Sequence, residues 1–132
     1  MQVIDRLYRE KVTTYFCGGA LGFDTVAAVT LLNGRRRYPE LRLILALPCP
    51  EQSEKWSEAS RALYRRILAS ADEVRTLSPF YTRGCMLERN RYMVENSAVC
   101  VAYLRRRQGG SAFTVDYARK KGLRIFNLAD YV

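Results

Sequence analysis

The sequence contains no histidine, so the commonest general base and the commonest transition-metal ligand are missing from any mechanism it could run. Serine-histidine and cysteine-histidine catalysis are thereby excluded. Lysine is scarce as well. Lys11, Lys55, Lys120 and Lys121 are the only ones, and the net charge of +9 rests on arginine, whose planar fork matches phosphate and carboxylate. Paired C-x2-C spacing is also missing. Cys17, Cys49, Cys85 and Cys100 stand far apart and read as reduced, mostly buried thiols, with no metal site and a cytoplasmic location expected. No stretch approaches the roughly 18 consecutive apolar residues of a membrane span. The first eleven residues mix Asp5, Arg6, Arg9, Glu10 and Lys11 among apolar positions, which excludes a signal peptide and leaves no membrane partner expected. There are no internal repeats, low-complexity tracts or linkers, so residues 1–132 read as a single domain, and 48% hydrophobic content is enough for a proper core.

What the chain does have is a steady alternation of short β-type runs and longer helical patterns, the rhythm of an α/β Rossmann-like sandwich: about five parallel strands with helices on both faces. Residues 2–11 predict a helix with Val3, Ile4, Leu7 and Tyr8 on one face, followed by a strand from Val12 to Cys17. A helix starting at Asp24 or Thr25 runs to Leu32 and is stopped by Asn33 and Gly34, which accept the left-handed conformation; Arg35-Arg36-Arg37 is then loop surface. Leu41 to Leu47 is the next strand, halted by Pro48-Cys49-Pro50. A helix over 57–70 places Ala59, Leu63 and Ile67 on one face, and a strand follows over 73–77. After a loop, a helix over 86–96 turns Met86, Met93 and Val94 to the sheet, and a strand occupies 98–104. A helix over 111–121, stopped at Gly122, and a strand over 124–128 close the pattern.

Two glycine pairs fall where strands hand over to helices, Gly18-Gly19 and Gly109-Gly110. In an open parallel sheet ligands sit outside the carboxyl ends of the strands. A glycine turn feeding a helix lets backbone N–H groups approach an anion, and the helix dipole adds its positive end, so a phosphate fits such a turn. Each glycine pair also has a bland explanation, since a tight bend needs glycine whether or not a ligand is present. Two pairs in one small sheet favour the binding reading: a small phosphate-bearing nucleotide ligand, of unidentified type, with no further cofactor required.

Four stretches together resemble a known family. They are Cys17-Gly18-Gly19-Ala20-Leu21-Gly22-Phe23-Asp24; Leu45 to Pro50 with Gln52 and Trp56; Gly84 to Met93, carrying Met86, Arg89 and Asn90; and Gly109-Gly110-Ser111-Ala112-Phe113-Thr114-Val115. In this order they are similar to the YpsA branch of the SLOG superfamily, across nearly the whole chain. The resemblance implies a Rossmann-like fold and a pocket for nucleotides or nucleotide-derived ligands lined by residues of these motifs, with no established activity for this branch; a sensor or regulatory module is the leading reading. The family pattern begins with a further strand ending in Gly-His-Arg, which this sequence does not contain, so relative to that pattern the chain reads as truncated before Met1. Cys17 stands where the family usually has serine, and Ser111 where it usually has threonine.

The same superfamily contains the LOG phosphoribohydrolases, which cleave the N-glycosidic bond of a nucleoside monophosphate with an arginine and a glutamate. Met86-x-x-Arg89-Asn90-x-x-Met93 resembles their arginine motif, and Asp116 follows Gly109-Gly110 where they place the acid. In an enzyme, Arg89 orients the phosphoribosyl group and Asp116 stabilises the oxocarbenium or activates water. In the bland reading the two are a solvated pair on neighbouring helices. Pro48, Gln52, Trp56 and Tyr81 lie on loops at the ligand edge, where an indole can stack on a base or simply cover the core. Arg105-Arg106-Arg107 precedes the second glycine pair, and with Arg35-Arg36-Arg37 it keeps nucleic-acid binding, as in the related DprA branch, as a third reading. Aromatic residues do not interleave with either basic run, and a homodimer is compatible with every reading.

Overall fold

The computed structural model describes residues 2–104 and 110–131. It contains the expected alternation, α1 (Gln2–Arg9), β1 (Thr14–Cys17), α2 (Phe23–Gly34), β2 (Arg42–Leu47), α3 (Glu58–Ser70), β3 (Glu73–Thr76), α4 (Cys85–Glu95), β4 (Val99–Ala102), α5 (Gly110–Lys120) and β5 (Arg124–Asn127), with a short 3-10 turn over Leu128–Tyr131. All strand pairs are parallel, in agreement with a Rossmann-like α/β fold. The strands are divided between a three-stranded sheet, ordered β1-β2-β3, and a two-stranded sheet of β4 and β5, rather than one continuous sheet of five. The chain correspondingly forms two compact units, Met1–Tyr81 and Thr82–Val132.

In the first unit, β2 is the middle strand and reads as a nearly uninterrupted apolar run, as a strand buried on both faces must. Its Leu43, Leu45 and Leu47 point to the same side as Cys17 of β1, and Ala28 and Leu31 of α2 with Tyr64 and Ile67 of α3 close over them. Leu43 and Leu45 are at most 1% exposed, and each contributes about 1.5–3 kcal/mol by leaving water. Both α2 and α3 therefore cover one face of this sheet. On α3 the residue buried deepest beside Ile67 is Tyr64, whereas the expected Ala59 is exposed.

Several element ends differ from expectation for local reasons. Lys11 takes a positive φ of 66°, which turns the chain after α1 and delays β1 to Thr14. The helix α2 runs through Gly34, and Arg35 remains right-handed with φ −64°, so no left-handed stop is used there. Gly34 is instead buried. Arg35 is not solvated loop: it reaches across to the turn after α3, donating to the Ser70 carbonyl at 2.7 Å and pairing with Asp72 at 3.2 Å. The same Asp72 oxygen accepts the Leu43 N–H at 2.8 Å, so one carboxylate ties α2, β2 and the α3–β3 turn together. Arg37 is engaged too, 3.6 Å from Asp5 and over the Tyr38 ring.

In the second unit, α5 packs on β4, β5 and α4. Tyr117 of α5 donates to Glu95 of α4 at 2.9 Å, and Arg91 of α4 lies over the Phe113 ring. Gly122, at φ +83°, stops α5 as the sequence predicts. Of the three residues expected to face the sheet from α4, Val94 is 4% exposed, but Met86 at the helix start is 37% exposed.

Candidate functional site

The Gly18-Gly19 turn follows directly from the buried end of β1. Gly19 sits at φ +72°, a region that L side chains avoid, and a Cβ there would lie 3.2 Å from the Tyr64 ring and 3.3 Å from Leu47. Gln52, 8% exposed, supports the turn from beneath: its amide nitrogen donates to the Gly18 carbonyl and to the Tyr64 hydroxyl, both at 3.2 Å. Trp56 meets Tyr64 edge-on at 5.0 Å between ring centroids, and Pro48 is buried. Of the two candidates for reading a base, Gln52 is thus bonded to the turn, and Trp56 packs on the Tyr64 ring beside it.

The next residues decide the electrostatics. Gly22, at φ 90°, opens α2, and Asp24 in its first turn bends back so that its carboxylate accepts the Ala20 N–H at 3.2 Å. The Thr25 hydroxyl donates to the Ala20 carbonyl at 3.2 Å. The sequence places the helix start at Asp24 or Thr25; α2 begins at Phe23, and Asp24 in its first turn holds the loop that precedes it. A negative charge consequently stands where the α2 dipole is positive. Burial, helped by the Asp24 charge, pushes the Cys17 thiol up to about 12, so this thiol stays protonated and inert near neutral pH.

The second unit presents a different turn. Gly109 and Arg105-Arg106-Arg107 lie outside the described residues, but Gly110 is the first residue of α5, and the first turn of that helix carries no acid. Ser111 is exposed there, Thr114 is half-buried, and Ala112 is 5% exposed against the core. On α4, Arg89 is only 4% exposed; its Nε donates to Asn90 Oδ1 at 2.8 Å, and its Nη2 lies 3.7 Å from the Met86 sulfur. The arginine motif is therefore one cluster of Met86, Arg89 and Asn90. Burying a guanidinium is expensive unless its donors are satisfied, which marks Arg89 as more than surface charge. Asp116 is not brought to it. Its side chain is 69% exposed and pairs at 3.6 Å with Arg119 of its own helix. Tyr81 is 63% exposed at the end of the first unit.

Sequence reasoning missed Asn127. Its side-chain amide donates to the Leu104 carbonyl at 3.0 Å and accepts the Leu104 N–H at 2.9 Å, while also accepting from Ala129 at 3.2 Å. A side chain thus holds the backbone of Leu104, two residues beyond the end of β4. An asparagine closing a strand is the available signal, since its amide can imitate a peptide group.

Among the described residues no group of three or more metal-ligating side chains occurs, and no helix is long and apolar enough to cross a membrane. The chain is 29% identical over 119 residues to a UPF0398 protein of Brevibacillus brevis, an alignment covering 88% of this chain and 63% of that protein. It is 28% identical to the uncharacterized SPbeta prophage-derived protein YoqJ of Bacillus subtilis, covering 91% of this chain and 78% of the relative. A UPF0398 protein of Halalkalibacterium halodurans is 29% identical, with 91% and 65% covered. The chain spans less than two thirds of the length of the first and third of these. The model of the YpsA SLOG family matches residues 1–127, and the motifs that suggested it lie at the strand-to-helix turns described above: the chain belongs to the YpsA SLOG family.

Proposed function

We propose that the protein binds a small phosphate-bearing nucleotide ligand as a sensing or regulatory module, and that the phosphate is received at the glycine turn opening α5. The observation that carries this reading is the difference in charge between the two helix starts. Asp24 occupies the Ala20 amide and the positive end of α2, whereas the first turn of α5 has no acid and follows Arg105-Arg106-Arg107 in sequence. A phosphate gains from the second arrangement and is repelled by the first. Arg89 and Asn90, a bonded pair on the helix that packs against α5, are the polar groups we assign to the ligand. The hydrolytic alternative draws on Arg89 and Asp116, and the exposed Asp116–Arg119 pair gives it no comparable support.

The test is thermal stabilisation by a panel of AMP, ADP-ribose, NAD and cyclic nucleotides, with Ser111→Asp as the informative variant. At least one nucleotide stabilises the wild type, by about 2.7 kcal/mol at a hundredfold excess over Kd. Ser111→Asp places an acid in the first turn of α5, which suits the free helix but repels phosphate, so the variant melts no lower than wild type and loses the response. A flat response of the wild type to the whole panel removes the proposal. A response that survives Ser111→Asp moves the phosphate elsewhere.

A further inference from the structure

The helix α2 shows a deficit that the ligand reading does not use. Residues 12–34 carry a single charge, Asp24, in a chain where 27% of residues are charged. The outward stripe of α2, Val26 with Thr30 and Asn33, is uncharged, with Val26 61% exposed and Leu21, just before the helix, 52% exposed. A large apolar side chain standing in water on an uncharged stripe is the composition that the centre of an interface favours. Beside it, a shallow groove of about 270 Å³ runs between α2 and α3, lined by Val29, Leu32, Leu63 and Ile67.

The charges on α3 select the occupant. Its outward stripe runs Glu58, Ala62, Arg65/Arg66, Ala69, and no acid follows Glu58 along the helix. Glu58 and Arg66 stand four residues before and four after Ala62, and both are exposed. We propose that two copies of this chain associate through the α2/α3 layer of the Met1–Tyr81 unit, α3 lying antiparallel on α3 about Ala62 and α2 on α2. A two-fold axis lying in the interface, perpendicular to the helices, sets Glu58 of each copy against Arg66 of the other. The charge-free α2 stripes then meet at the centre, where interfaces are depleted of charge, and the small Ala62 lets the α3 backbones approach. The antiparallel dipoles are mutually favourable. An acidic partner would match Arg65 and Arg66 but confront Glu58; a second copy pairs Glu58 with Arg66 in both directions and sets Arg65 opposite the small Ala59.

Sedimentation velocity over a dilution series up to about 100 µM, a range in which a contact of modest size is populated, tests this. The wild type forms a dimer. Val26→Asp, at a position exposed enough to leave the fold intact by circular dichroism, is monomeric throughout. Glu58→Arg and Arg66→Glu each weaken association about fivefold, as a rim charge pair does, and the double reversal Glu58→Arg with Arg66→Glu restores it. A wild type that stays monomeric overturns the proposal, and so does a dimer indifferent to Val26→Asp. A double reversal no better than its single parents overturns the antiparallel register.

Discussion

The two glycine turns look alike in sequence and differ in what they ask of a ligand. The Gly18-Gly19 turn is internally complete: its underside is packed by Tyr64, Leu47 and Gln52, and the Ala20 amide is satisfied by Asp24. The helix α5 has an acid-free start and packs on α4, the helix that carries the buried Arg89. A glycine turn before a helix is therefore an anion site only when the fold has not already supplied the anion. The first turn is a fastening, whereas the described start of α5 carries no acid of its own.

Substitutions can break this contrast. The largest effect belongs to Gly19→Ala, which combines a positive φ with a Cβ 3.2 Å from Tyr64; a loss of about 2–3 kcal/mol in urea unfolding is expected. A loss below that of an ordinary surface change would mean the turn is not packed as described. Gln52→Leu comes next, at about 1–2 kcal/mol, because a buried amide that joins the turn to Tyr64 is removed. Asp24→Asn is smaller in stability, since its oxygen still accepts the Ala20 N–H, but it is the sharper probe. If phosphate goes to α5, nucleotide affinity stays within about threefold of wild type, whereas an anion held at the first turn would bind about tenfold tighter once the carboxylate is neutralised. The smallest effect is none at all: Cys17, its pKa held at about 12, resists disulfide-exchange reagents in the native protein near neutral pH. Rapid labelling of Cys17 would show that the end of β1 opens readily.

The order and type of elements were legible because apolar runs such as Leu41 to Leu47 and the helical patterns between them have distinct periods. The strand-to-helix positions of the motifs were legible for the same reason. Three things were not. The partition into three and two strands depends on which strands pair, and a strand's apolar run does not encode its neighbour. Arg35 reads as loop surface because its partners, Ser70 and Asp72, come close only after two crossovers. The role of Asp24 was hidden most deeply. An acid near a helix start usually signals a cap, and only the backbone path through Gly22 sends its carboxylate back to Ala20.

Among the described residues, β2 is the one strand with a hydrogen-bonded neighbour on both sides. Sheets built mainly of edges offer unpaired backbone groups to any extended chain nearby, which is the usual beginning of aggregation. The net charge of +9 then acquires a colloidal meaning separate from any ligand: mutual repulsion keeps these edges apart. Because salt screens that repulsion, the protein should be easiest to handle at low ionic strength and most inclined to precipitate as salt rises or as polyanions neutralise it.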